Sequence, residues 1–261
     1  MTAAIETREL RRRFGDVTAV DGISLRVPEG SFYGFLGPNG AGKSTTIKCL
    51  VGLLQPTDGS VSILGLDPAA DPVAFKRRIG VVPEDQTLFE RLTGAESLWF
   101  AGRVHGLEPA TLRRRSDELL ALMDLAQTDG RLVADYSHGM RKKLALAVAL
   151  LPAPQLLFLD EPFEGVDAVS SRQLKELLRS FVGRGGTVFL TSHILEIVER
   201  LCDHIGVIDR GRLVVQGPLD ELRRGRGTGK TLEELFLELV AGADADAPGL
   251  EWLAEGIPRT G

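Results

Sequence analysis

Only two cysteines, Cys49 and Cys202, occur in the 261 residues. They lack the dense, even spacing of a disulfide framework and the paired spacing of a zinc site. They read as buried thiols in a reducing compartment. No apolar run approaches the ~20 residues that span a bilayer; the most apolar stretch, residues 144–151, stops at Pro152. Any membrane role therefore needs a partner. The opening residues hold no apolar segment of the secretory kind, so the expected location is the cytoplasm. A surplus of positive charge is missing too. The formal net charge is −5, which argues against broad binding to nucleic acid, where a basic face must displace phosphate counterions. The arginine runs at 11–13 and 113–115 read as solvated faces.

What is present is a globular composition, 43% hydrophobic and 26% charged, able to bury a sizeable core in one domain or one domain with a subdomain. Short runs of Val, Ile, Phe and Leu alternate with longer helical patterns, which predicts an α/β fold around a mostly parallel sheet. The clearest buried strands are residues 32–36, 156–159 and 188–190. Ahead of them, 7–14 and 17–27 predict strands paired about a turn at Gly15 and Asp16, an N-terminal antiparallel β subdomain. From Pro83 the pattern turns helical, with helices over 94–105, 110–125 and beyond Ser137, so an inserted α-helical subdomain is expected over about 84–151. A hairpin after Asp209, a loop at 223–230 and an amphipathic helix at 232–240 complete a domain of residues 1–240. Residues 241–261 are expected to form a disordered tail.

Gly37, Pro38, Asn39, Gly40, Ala41, Gly42, Lys43 and Ser44 match G-x-x-x-x-G-K-[ST]. They follow an apolar strand and open a helix, the two contexts the P-loop motif requires. Glycines let successive N–H groups converge on phosphate oxygens, and the helix N-terminus adds partial positive charge. Lys43 would reach the β- and γ-phosphates, Ser44 would hold Mg²⁺, and Thr45 would support the α-phosphate. The plain alternative is a chance glycine turn, which the flanking context makes improbable. A decoy at Gly229, Lys230 and Thr231 has neither the first glycine nor a preceding strand, and reads as loop.

The run at 156–161 ends an apolar strand in Asp160 and Glu161, which brings two carboxylates to the carboxyl edge of a parallel sheet. Asp160 suits Mg²⁺ and Glu161 suits the attacking water. Taken alone, such a pair is more often a solvated turn or a helix cap; beside the phosphate loop the functional reading is favoured.

With these residues in order, the chain resembles the ATP-binding cassette (ABC) ATPases over roughly residues 5–220. Tyr136, Ser137, His138, Gly139 and Met140 stand at the signature position, residues 163–167 at the D-loop, Thr191, Ser192 and His193 at the switch-histidine segment, and Phe14 at the adenine-stacking aromatic. The resemblance implies that Ser137 and Gly139 cap the γ-phosphate of an ATP held by a second ATPase subunit, in a homodimer or a heterodimer. It further implies that His193 touches the γ-phosphate and the water site, and that Asp167 links the two subunits. Each also has a plain reading: Phe14 as strand core, His193 as a helix cap, Ser137 as an N-cap. The remaining histidines read as structural.

The chain departs from the family pattern at Glu84, where Gln is usual; Gln86 stands two residues later. Glu84 is assigned the Q-loop role and can hold Mg²⁺ or a water, with a charge that glutamine lacks. Tyr136, His138 and Met140 replace the usual Leu, Gly and Gln. These variants, with residues 232–236, resemble ATPase subunits of ABC-2 type exporters, including drug-resistance systems. The implied partner is a separate transmembrane permease that holds the chain peripherally on the inner face of the cell membrane, through a groove between the 84–89 loop and the helix bearing Trp99 and Phe100, whose aromatics could instead be core. Two rivals are an ABC ATPase acting on ribosomes or chromosomes and a P-loop kinase. The first should carry two cassettes or a long coiled coil, neither evident here; the second leaves Ser137, Gly139 and His193 without tasks.

Overall fold

The computed structural model describes residues 2–85, 88–128, 130–224 and 231–240. In chain order the elements are β1 (Ala3–Phe14), β2 (Val17–Ile23), β3 (Arg26–Pro28), β4 (Phe32–Leu36), α1 (Lys43–Leu50), β5 (Asp58–Ile63), α2 (Pro72–Lys76) and β6 (Ile79–Val82). There follow α3 (Gly94–Val104), α4 (Pro109–Leu122), α5 (His138–Leu150), β7 (Leu156–Asp160), α6 (Ala168–Gly183), β8 (Thr187–Ser192), α7 (Leu195–Leu201), β9 (His204–Asp209), β10 (Arg212–Pro218), α8 (Leu219–Arg224) and α9 (Leu232–Val240).

Six strands form the main sheet in the order β10-β9-β4-β8-β7-β6. All its pairings are parallel except the β9–β10 hairpin. Period-two alternation explains why the strands read as continuous apolar runs. Tyr33, Phe35, Phe158 and Phe189 point to one face, where they pack with Ile47 of α1 and Ile63 of β5. Leu36, Leu157, Leu159, Val188 and Leu190 point to the other, against Leu144 and Ala147 of α5, Leu174 and Leu178 of α6, and Val198 of α7. Phe189 sits at the centre of the aromatic face, its ring 5.6 Å from Tyr33, 5.4 Å from Phe35 and 5.7 Å from Phe158. Each such side chain contributes about 1.5–3 kcal/mol on burial.

β1 is the spine of the smaller antiparallel sheet: β2 pairs with its second half, β3 with its first, and β5 with its other edge. The single strand expected over 17–27 is thus two, broken between Ile23 and Arg26. β5 was not legible in the sequence because it is polar and largely exposed, an edge strand of pattern Asp-Gly-Ser-Val-Ser-Ile. The C-terminal hairpin belongs to the main sheet, since β9 pairs directly with β4. The expected loop at 223–230 is corrected at its start, because Arg223 and Arg224 end α8. Gln86, the decoy residues Gly229 and Lys230, and the tail at 241–261 lie outside the described residues. Cys49 and Cys202 are buried free thiols. Among the described residues no helix is long and apolar enough to cross a membrane.

The arginine runs are less solvated than expected. Arg12 donates to the Gln55 carbonyl and lies 4.5 Å from the Phe14 ring centroid, and Arg115 donates to the Leu151 carbonyl.

Candidate functional site

The chain leaves β4 at Leu36, turns through residues 37–42 and enters α1 at Lys43. Two glycines in this turn are dictated by contact. A Cβ on Gly37 would lie 2.3 Å from the Ile208 carbonyl of β9, and one on Gly42 would lie 2.4 Å from the Ala19 carbonyl of β2. Gly42 also caps α1 with φ of 107°, where side chains other than hydrogen are strained. Backbone bonds tie the turn to the far end of the domain: Gly211 N–H donates to the Ala41 carbonyl, and Asp21 N–H donates to the Gly211 carbonyl.

Lys43 is buried, and its ammonium donates to the carbonyls of Gly37 (2.8 Å) and Pro38 (3.2 Å). The loop thus folds around its own cation, which lies 4.0 Å from Glu161 Oε1.

Across the cleft, β7 delivers Asp160 and then Glu161, both 5% exposed. Glu161 takes the left-handed conformation, φ 47°, which a non-glycine residue holds only when its surroundings over-determine it. Every part of it is held. Its N–H donates to Thr191 Oγ1 at 3.2 Å, and its carbonyl accepts from Lys142 Nζ of α5 at 2.6 Å. Its carboxylate faces Nδ1 of His193 at 3.1 Å and accepts the His193 N–H at 3.3 Å. Thr191, which also donates to Asp160, therefore fixes both acids from β8.

These groups open on a cavity of about 380 Å³. Of the expected residues it gathers Asn39, Gly40, Gly42, Lys43, Ser44, Thr45, Glu84, Glu161 and His193. Gly37, Pro38 and Ala41 form the back of the loop, and Asp160 lies buried at the end of β7. The cavity adds Ala19 and Glu164, which sequence reasoning did not single out. Burial pushes the Glu84 carboxyl above the usual carboxylate range, and Asp160, Glu164, Glu161 and Asp85 push it further. Lys142, only 3% exposed, is shifted the other way by desolvation, opposed by Glu164, Glu161, Glu84 and Asp160. Thr191 and Lys142 were missed as well. Thr191 belongs to the switch-histidine segment, which gave it no role of its own, and nothing local marks a lysine in an Arg-Lys-Lys run as buried.

Phe14, Ser137, Gly139 and Asp167 do not line this cavity. Phe14 is 45% exposed, which overturns the core reading. It stands at the tip of the β1–β2 hairpin, whose second strand carries Ala19 into the cavity wall. Ser137 N-caps α5, accepting from Met140 N–H at 3.2 Å, and Asp167 N-caps α6, accepting from Ser170 N–H at 2.9 Å. The two helix starts are neighbours. A Cβ on Gly139 would sit 3.6 Å from Asp167 Oδ2, and His138 Nε2 lies 3.2 Å from the Glu164 carbonyl. The plain alternative for His193, a helix cap, is not seen; Ile194 holds that position, without a side-chain bond.

A model of the family described as ABC transporter matches residues 20–164. A daunorubicin resistance ATP-binding protein of Streptomyces coeruleorubidus is 42% identical over 224 residues, 86% of this chain and 71% of that protein. A bacitracin transport ATP-binding protein of Bacillus licheniformis is 37% identical over 225 residues, 86% of this chain and 72% of that one. Among solved structures, the ATP-binding subunit of an ABC transporter superposes with a TM-score of 0.86 at 35% identity, over 91% of this chain and 99% of that chain. The dimeric ATP-binding cassette bound to ADP and Pi, at 23% identity and a TM-score of 0.75 over 82% of this chain and 98% of that one, shares the fold. A phosphate loop on a parallel sheet, facing a buried glutamate and a histidine, is thus found in a chain that belongs to the ABC transporter family.

Proposed function

We propose that this chain is the ATP-hydrolysing subunit of an exporter, working as one of two such subunits beneath a separate transmembrane permease. The observation that carries this reading is Glu161, pinned at the end of β7 with its carboxylate against His193 and 4.0 Å from Lys43, beside a cavity walled by the phosphate loop. The likeness to antibiotic-resistance and antibiotic-transport subunits supports export.

In this reading ATP lies along residues 37–45. Lys43 exchanges the Gly37 and Pro38 carbonyls for phosphate oxygens, and Phe14 offers its π-face to adenine beside Arg12. Ser44, Asp160 and Glu84 present only oxygen donors, which fits a hard cation such as Mg²⁺. Among the described residues no three His, Cys, Asp or Glu side chains cluster to hold a metal alone. When bound, the ion neutralises charge on the departing phosphoryl group. Glu161 orients and deprotonates water, and His193 holds the Glu161 carboxylate in place. Ser137 and Gly139, outside this chain's own cavity, cap the ATP of the second subunit, and Asp167 spans the interface.

The permease would seat on exposed Phe89, Trp99 and Phe100. The Phe89 and Phe100 rings meet edge-on at 5.1 Å beside a cavity of about 230 Å³ lined also by Leu88, Ala101 and Val104.

The test is Glu161→Gln. Phosphate release from ATP with water as sole acceptor should fall roughly 10²- to 10⁴-fold, the worth of a positioned base, while ATP binding persists and ATP drives two chains together in sedimentation. Near-normal turnover would sink the assignment, and phosphate transfer only to an added metabolite would favour a kinase.

A further inference from the structure

Lys142 is a buried cation for which the hydrolytic scheme has no task. It lies one turn into α5, 3% exposed, with its ammonium 2.6 Å from the Glu161 carbonyl. Four carboxylates, those of Glu164, Glu161, Glu84 and Asp160, act on it. A lysine is costly to bury, and no comparable cost is needed to pack a helix on a sheet. The expense coincides with the residue in the cleft that most needs holding, because Glu161 stands in the left-handed region, φ 47°. Its N–H is tied to β8 through Thr191; its carbonyl is tied to α5 through Lys142.

We propose that Lys142 is a positioning residue for hydrolysis: it holds the Glu161 backbone in its left-handed turn, and thereby makes the attitude of the Glu161 carboxylate depend on the position of α5. The inference rests on the reading of Glu161 given above, and it extends that reading. The first residues of α5 and its cap are Ser137, His138 and Gly139, the segment assigned to the other subunit's ATP. One rigid helix thus joins the group that senses the partner's nucleotide to the group that orients water in this chain's own site. Either site being filled biases the other through a single ammonium–carbonyl contact.

The experiment compares Lys142→Met, Lys142→Gln and Lys142→Arg in the full chain, with Glu161→Gln as reference. Phosphate release gives kcat, calorimetry gives the Kd for ATP, and thermal unfolding reports folding. Displacing a catalytic group by about 1 Å costs ~10²-fold, so the Met variant should lose roughly 10- to 100-fold in kcat with Kd within about two-fold, and Arg, which keeps donor and charge, should regain most of it. Turnover of a folded Met variant within two-fold of the parent overturns the proposal, as does a loss that appears in Kd instead of kcat. Should Met prevent folding, Gln carries the same readout: kcat lowered at constant Kd supports the coupling, and unchanged kcat overturns it. If Glu161→Gln itself keeps normal turnover, the reading of Glu161 falls and this inference with it. If Glu161→Gln is inactive while the Met variant is normal, only the inference falls.

Discussion

Lys43 illustrates how a residue can be poised for a ligand by internal substitutes. Its ammonium rests on two loop carbonyls, neutral acceptors that a phosphate, carrying full charge, readily outbids. Lys43→Ala should therefore weaken ATP binding itself; equal affinity by calorimetry would contradict this use of the loop. His105 gives a different residue-scale prediction. Burial first, and then the charge of Arg77, hold its pKa below the ordinary value of 6.5. The folded protein thus binds fewer protons than the unfolded chain between that depressed value and 6.5, so stability rises with pH across this window and falls as pH drops through it. Urea titrations from pH 5 to pH 7.5 should show the slope, and His105→Asn should flatten it. A slope that survives the substitution would assign it to other groups.

At the scale of elements, the phosphate loop shows a sequence motif enforced from outside the motif. Gly42→Ala meets two obstacles: a left-handed φ costing about 1–2 kcal/mol, and a backbone carbonyl of β2 where the methyl must go. That variant should lose nucleotide binding with Lys43 and Ser44 intact, measured with a fluorescent ATP analogue. The loop, the acid pair ending β7 and the histidine ending β8 were legible because each follows a doubly buried strand, whose apolar run marks its own end. The hairpin and the helix Leu232–Val240 were legible from turn chemistry and periodicity. β5 and the break between β2 and β3 were not, because an exposed polar edge strand carries no apolar period. The burial of Lys142 and the hold of Thr191 on both acids depend on how α5 and β8 lie against β7. That is a tertiary fact with no trace in local pattern.

Taken whole, the molecule keeps the cavity of its phosphate loop apart from its exposed aromatics. The phosphate cavity opens along the carboxyl edge of the sheet, as ligand sites of parallel sheets do. The exposed aromatics of α3 lie on the helical insertion, which reaches the cavity through α5, where Lys142 bonds the Glu161 carbonyl, and through β6, which pairs with β7. At the edge of the sheet away from β6, the last strands close it. The phosphate loop packs on Ile208, bonds to Gly211, and through Gly211 reaches Asp21. This has a consequence in time. A motif complete by residue 44 stays without its rear wall until residue 211, 167 residues later in the chain, has also left the ribosome. Stalled nascent chains ending before β9 should not retain an ATP analogue, and those exposing β10 should. At synthesis rates of about 5–20 residues per second, the growing polypeptide would spend on the order of ten seconds or more carrying a nucleotide motif it cannot yet use, and so could not engage ATP before its core exists.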